Sequence, residues 1–264
     1  MTGKVYLVGA GPGDPGLLTL RGKAALESAD CVIYDRLANP VLLEFAPRHA
    51  PKIFVGKHGG GESMPQTEIH RMLIAHARAG EVVVRLKGGD PFLFGRGGEE
   101  AEALTEAEVP WEVIPGVSAA LAVPAAAGIP VTHRDLASSM AVVTAHERKD
   151  GPGSRVRWDK LATGVDTLVV LMCAKDLARI VAQLVQHGRP ATTPAAIIAW
   201  GTYDWQRVAV GTLRDIARLA DEQCMGPPLT LVVGEVAALA TVLKAPAADS
   251  ESSLLYRLLG AEIE

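Results

Sequence analysis

Residues 81–100 read "EVVVRLKGGDPFLFGRGGEE", an apolar β-branched run that breaks into glycines, an aspartate and a proline before a helix-compatible stretch begins. The run 81–87 predicts a strand and the region 97–108 a helix, so residues 88–98 form a loop at the carboxyl end of the strand. Open α/β sheets place their ligands at such ends. The loop is no phosphate P-loop, because no Gly-Lys-Ser/Thr triplet follows its glycines. Small residues there let a ligand approach backbone N–H and C=O groups, which suits a zwitterionic cofactor with an adenosine to hydrogen-bond. Arg96 and Glu99, three apart at the helix start, share one face; an ordinary surface ion pair is the alternative reading.

Outward from this stretch the same grammar repeats. "KVYLVG" at 4–9 predicts a buried strand, Leu17–Ala29 a helix, "DCVIYD" at 30–35 and "KIFVG" at 52–56 two further strands. Gly59–Ser63 reads as a loop, Pro65 suits a first helical turn, and "QTEIHRMLIAHARAG" predicts a helix that stops at Gly80. "WEVIP" at 111–115 closes a first α/β unit. After "PGVSAALAVPAAAGIPVTHRD" strands are predicted at 140–144, 167–172, 195–199, 206–210 and 229–233, with helices near 175–187, 212–222 and 235–243. The short polar "GTYDWQ" between two of these strands signals a hairpin, so the second sheet is mixed. The expected architecture is two α/β domains, 1–116 and 117–245, with 246–264 a tail.

Composition fits that class. Of 264 residues, 48% are hydrophobic and 21% charged, as in globular α/β enzymes, and a formal net charge of −4 offers no global field for nucleic acid. Cys31, Cys173 and Cys224 are far apart and form no CxxC pair, so neither a disulfide framework nor a thiolate zinc site is indicated. The start "MTGKVYLVGAGPGD" is a poor signal peptide and no apolar run is long enough to span a bilayer, so a cytoplasmic protein is expected, without membrane or nucleic-acid partners.

Three motifs fail on inspection. "GAGPGD" at 9–14 begins like a dinucleotide fingerprint, but the third glycine would be Asp14, which opposes a pyrophosphate, and Pro12 and Pro15 stiffen the turn. His146-Glu147 begins like a zincin, yet the second histidine would be Asp150. Ser118 lacks the G-x-S-x-G surroundings of a nucleophile elbow.

Taken together, "VYLVGAGPGDPGLLTLRG", "YDRLANP", "RLKGGDPFLFGRGGEE", "PGVSAALAVPAAAGIPVTHR" and "QRVAVGTL" resemble the tetrapyrrole methylase family from the first strand to about residue 240. The combination of "YDRL", "GRGGEE" and "GIPVTHR" points to its uroporphyrinogen-methylating branch. The resemblance implies a homodimer with S-adenosylmethionine bound in a cleft between the two domains, S-adenosylhomocysteine as its product, and methylation of uroporphyrinogen III at carbons 2 and 7 to give precorrin-2. It assigns cofactor contacts to Pro12, Gly88, Gly89, Asp90, Leu93, Ser118, Ala119 and Met172, with Gly201 and Leu229 matched less closely. A polycarboxylate substrate needs local cations, and Arg21, Arg36, Lys57, Arg85, Lys87, Arg96 and Arg134 fall in or beside predicted loops, while Phe92 and Phe94 face the macrocycle. The resemblance also matches Arg96 to an arginine proposed as proton acceptor. An ordinary pKa above about 12 makes it first a substrate-orienting group, with Glu99 and Asp35 competing for the proton. Ala145 and Cys173 stand where the family commonly has glycine. The rivals are a methylase of a later precorrin or another acceptor on the same fold, a nicotinamide oxidoreductase and a non-catalytic tetrapyrrole-binding subunit.

Overall fold

The structure, a computed structural model, describes residues 2–56, 64–146 and 154–243. Lys57, the glycine-rich loop 59–63, Glu147 and the tail 246–264 lie outside the described residues. The chain forms two compact units that divide after Ser118.

The first unit runs β1 (Lys4–Gly9), α1 (Leu20–Glu27), β2 (Cys31–Tyr34), β3 (Lys52–Phe54), α2 (Gln66–Arg78), β4 (Val82–Lys87), α3 (Gly97–Glu106) and β5 (Trp111–Ile114). Its sheet has the order β3-β2-β4-β1-β5, parallel throughout. Parallel strands covered on both faces read as continuous apolar runs, and in β4 every residue from Val83 to Lys87 is buried. One face packs Val8, Val84 and Leu86 under Ala25 and Leu26 of α1. The other packs Val5, Leu7 and Val83 under Leu73 of α2 and Leu104 of α3. The helices after neighbouring strands β1 and β4 therefore lie on opposite faces, which makes the carboxyl ends of this pair the topological switch point.

The second unit contains α4 (Ala119–Ala126), β6 (Met140–Thr144), α5 (Trp158–Gly164), β7 (Thr167–Leu171), α6 (Leu177–Gln186), β8 (Pro194–Ala199), β9 (Arg207–Thr212), α7 (Ile216–Glu222) and β10 (Leu229–Val233). The order is β6-β7-β10-β8-β9, with β6 and β7 parallel and the other pairs antiparallel, so the sheet is mixed and β8–β9 is the hairpin expected from "GTYDWQ". Ile180, Leu184 and Ile216 cover one face, while Val123 of α4 and Val236 cover the other.

Three local expectations change. The segment 235–241 is a 3-10 helix rather than an α-helix. No element is predicted across "PGVSAALAVPAAAGIPVTHRD", yet Ala119–Ala126 form α4, and burial of Ala120, Val123 and Pro124 holds the segment helical. The seven-residue α5 was also unexpected, and Trp158 anchors it in the core. No helix among the described residues is long and apolar enough to cross a membrane.

Candidate functional site

At the switch point three strand ends meet backbone to backbone. The Gly89 N–H donates to the Gly11 carbonyl at 2.6 Å and the Gly11 N–H returns a bond to the Gly89 carbonyl at 3.2 Å. Both glycines are left-handed, with φ of +77° at Gly11 and +68° at Gly89. A Cβ on Gly116, just after β5, would lie 2.3 Å from the Gly89 oxygen, and one on Gly9 would lie 2.5 Å from the Gly116 Cα. No side chain fits these contacts. Asp90 locks the arrangement: one carboxylate oxygen accepts from the N–H groups of Phe92 (2.8 Å) and Leu93 (3.1 Å), the other from Gly116 N–H at 3.0 Å. Asp90 thus acts here as a brace. Gly88 abuts Leu37, whose Cβ would lie 2.4 Å from an added Cβ, and Gly88 N–H donates to Asp35 at 3.4 Å. Pro12 lies half-buried in the β1 loop, which Asn39 holds through the Gly13 carbonyl at 2.8 Å.

Beyond Asp90 the loop is strained and exposed. Phe94 (φ +56°) and Arg96 (φ +60°) are left-handed without being glycine, a cost that concentrates at functional sites. Phe92, Leu93 and Phe94 are all exposed, and Phe92 tilts toward Trp111, with ring centroids 6.5 Å apart, over a shallow groove of about 390 Å³ that Ala101 and Thr105 also line. Arg96 and Glu99 form a two-point pair, Nε to Oε1 at 2.9 Å and Nη2 to Oε2 at 2.6 Å. Hydrogen bonding to the Glu99 carboxylate raises the Arg96 pKa above its ordinary value against the opposing effect of burial, which disfavours Arg96 as a base.

Two expected substrate cations must be reassigned. Arg85 and Lys87 lie within β4 rather than in a loop, each 3% exposed, and point toward α3. Glu100, fully buried one residue after Glu99, accepts through Oε1 from Arg85 Nε at 3.0 Å, Lys87 Nζ at 3.0 Å and Gln66 Nε2 at 2.9 Å. Its Oε2 has no hydrogen-bond partner among the described residues. Burial alone would raise the Glu100 carboxyl, but Arg85 and Lys87 outweigh it and hold it below the ordinary range; burial and the neighbouring Arg85 lower the Lys87 ammonium. Arg85 also lies 3.5 Å from Asp35, which connects the buried charges to the Gly88 turn.

The remaining candidates separate by position. Arg36 and Arg134 are exposed. Arg21 turns to Glu112, which also binds Lys4 (2.7 Å) at the amino end of β1, so it faces away from the glycine edge. In the second unit Met172 follows β7, exposed and left-handed at φ +59°. After β8, Trp200 (φ +52°) and Thr202 (φ +72°) flank Gly201, where an added Cβ would lie 2.3 Å from Val123. Leu229 is buried, and its carbonyl faces the Cys173 thiol at 3.5 Å. Ser118 and Ala119 are half-buried at the division between the units. Sequence reasoning missed Gly116 and Gln66 as parts of the machinery; the Pro115-Gly116 pair was the available signal for the first, and nothing marked the second.

Comparison with known proteins identifies the family. Residues 4–217 match the family model of the tetrapyrrole (corrin/porphyrin) methylases. A protein of Methanosarcina barkeri described as an S-adenosyl-L-methionine-dependent uroporphyrinogen III methyltransferase is 48% identical over 241 residues, 91% of this chain and 94% of that protein. A uroporphyrinogen-III C-methyltransferase of Methanocaldococcus jannaschii is 51% identical over 89% of this chain and 97% of its own length. Among solved structures, the uroporphyrin-III C-methyl transferase of Thermus thermophilus complexed with S-adenosyl homocysteine is 41% identical, with a TM-score of 0.77 over 90% of this chain and all of that one.

Proposed function

We propose a function from one premise: the chain belongs to the tetrapyrrole (corrin/porphyrin) methylases. It is an S-adenosylmethionine-dependent C-methyltransferase that methylates uroporphyrinogen III at carbons 2 and 7 to give precorrin-2. The observation that carries the reading is the braced glycine edge, Gly9, Gly11, Gly89 and Gly116 with Asp90 across them, at the switch point where this fold type binds ligands.

The residues present fit the cofactor. Adenosine and a methionine chain need apolar surface beside backbone polar groups, and Leu93 and Met172, both large and apolar, are left exposed at strand carboxyl ends. Pro12, Gly88, Gly89, Asp90 and Leu93 in the first unit, with Ser118, Ala119, Met172, Gly201 and Leu229, are the proposed contacts. When bound, S-adenosylmethionine supplies an electrophilic sulfonium methyl. The protein's contribution is then chiefly positioning, because the pyrrole carbon is already a nucleophile.

Arg36, Arg96 and Arg134 are exposed cations suited to the substrate's carboxylates, and Phe94 offers an apolar surface to the macrocycle. Arg96, with its proton held by Glu99, orients the substrate, and Glu99 and Asp35 are the groups available to take the departing proton. A cytoplasmic homodimer completes the proposal. The test is anaerobic incubation with uroporphyrinogen III and S-adenosylmethionine, followed by mass spectrometry. A tetrapyrrole heavier by two methyl groups is expected, and an unchanged tetrapyrrole overturns the substrate.

A further inference from the structure

Cys31 opens β2, His76 lies in the last turn of α2, and Glu81 directly precedes β4. The parallel topology gathers all three at the amino ends of the strands, the edge opposite the glycine loops. Their ligand atoms lie within 4.8 Å of one another, and theirs is the one such trio among the described residues. His76 Nδ1 and Glu81 Oε2 are 2.6 Å apart, brought together by the left-handed Gly80 (φ +93°) that turns the chain between them. Cys31 is fully buried, and the other two are half-buried.

We propose that Cys31, His76 and Glu81 form a binding site for a zinc-class transition-metal dication, with solvent as the fourth ligand. With bonds of about 2.0–2.3 Å, a tetrahedral ion spaces its ligands roughly 3.3–3.8 Å apart, so the observed spread closes with small side-chain adjustments. A thiolate and an imidazole select zinc-like ions over calcium or magnesium, which prefer oxygen. A thiolate, a carboxylate and a neutral imidazole around a dication sum to zero charge, the total that a largely buried site tolerates. The bound ion fastens the end of α2 to β2 and serves stability rather than methyl transfer.

The test is a Co²⁺ titration of the full-length, metal-stripped protein under anaerobic conditions. A thiolate-to-cobalt charge-transfer band that saturates at one equivalent and is displaced by Zn²⁺ is expected, together with a higher melting temperature in Zn²⁺. Cys31→Ala removes the band, Cys224→Ser leaves it, and His76→Gln weakens Co²⁺ binding at least about tenfold, a loss seen even for outer-shell partners. Absence of the band, or a band that survives Cys31→Ala and disappears with Cys224→Ser, overturns the site. Should Cys31→Ala not fold, a His76→Gln protein that binds Co²⁺ as tightly as the parent overturns it equally.

Discussion

Glu100→Gln isolates the charge beneath the glycine loop. The amide keeps an acceptor where Oε1 receives Arg85, Lys87 and Gln66, and its NH₂ takes the place of the unpartnered Oε2, so the three hydrogen bonds survive while the negative charge disappears. Each cation contact at 3.0 Å is a gross attraction of about 5 kcal/mol at an effective dielectric near 20, most of it offset by desolvation in the parent protein. In the variant the desolvation cost of Arg85 and Lys87 remains while the ion-pair attraction is gone. Breaking a buried pair in this way costs about 3–5 kcal/mol, and the retained hydrogen bonds place this variant near 3.

Urea unfolding at neutral pH, followed by a probe in the first unit, measures the loss. A change below about 1 kcal/mol would refute the buried-charge account. The pH dependence supplies a second check. The Glu100 carboxyl is held below its ordinary value, so in acid the unfolded chain binds more protons than the folded one. Its stabilisation is complete above the ordinary carboxylate range and is lost as pH falls through the depressed value. Glu100→Gln should therefore weaken the protein at neutral pH and flatten its acid limb. The triple replacement of Arg85, Lys87 and Glu100 by apolar residues of similar volume should restore much of the stability, as charge-free cores do.

The site itself yields further expectations. Arg96→Ala should abolish turnover while leaving S-adenosylmethionine binding by calorimetry nearly intact, and equal loss of both would sink the division of labour within the loop. Gly116→Ala forces a methyl to within 2.3 Å of the Gly89 oxygen; overpacking of this kind costs about 1–3 kcal/mol, and cofactor affinity should fall with stability in parallel titrations. Gly98→Ala meets nothing within 4 Å inside α3 and should stabilise by about 0.5–1 kcal/mol, so a lower melting temperature would contradict the open position. Between the two proton acceptors, whichever of Asp35→Asn and Glu99→Gln loses kcat at saturating cofactor without raising KM carries that role, and two unaffected variants would exclude both.

Much of the fold was legible because the strands are short, apolar and closed by glycine or proline, and the strand-end position of residues 88–98 followed directly from the run 82–87. What was not legible is what fills the space a glycine leaves. A glycine in a sequence announces that no side chain is wanted, without naming the neighbour. At Gly9 and Gly116 the neighbours are each other's backbones and the Gly89 carbonyl, and at Gly95 and Gly97 the neighbour is the Pro91 carbonyl. The left-handed Phe94, Arg96, Met172, Trp200 and Thr202 carried no signal at all, since their residue types do not favour that conformation.

Adjacent charges show where the remaining ambiguity lies. Glu99 and Glu100 are neighbours in a helix, so a rotation of about 100° separates their side chains. One pairs with Arg96 in solvent and the other meets Arg85 and Lys87 in the interior. Counting basic residues near predicted loops could not make that distinction, because it depends on which face of β4 lies under α3. The same holds for Cys31, His76 and Glu81: neither CxxC spacing nor a His-x₃-His pattern unites them, and only the parallel crossover that returns α2 to the amino edge of the sheet does. A site whose ligands come from one strand end, one helix end and the residue before the next strand is a property of topology, so motif scanning of this chain finds the glycine loop and passes over the opposite edge.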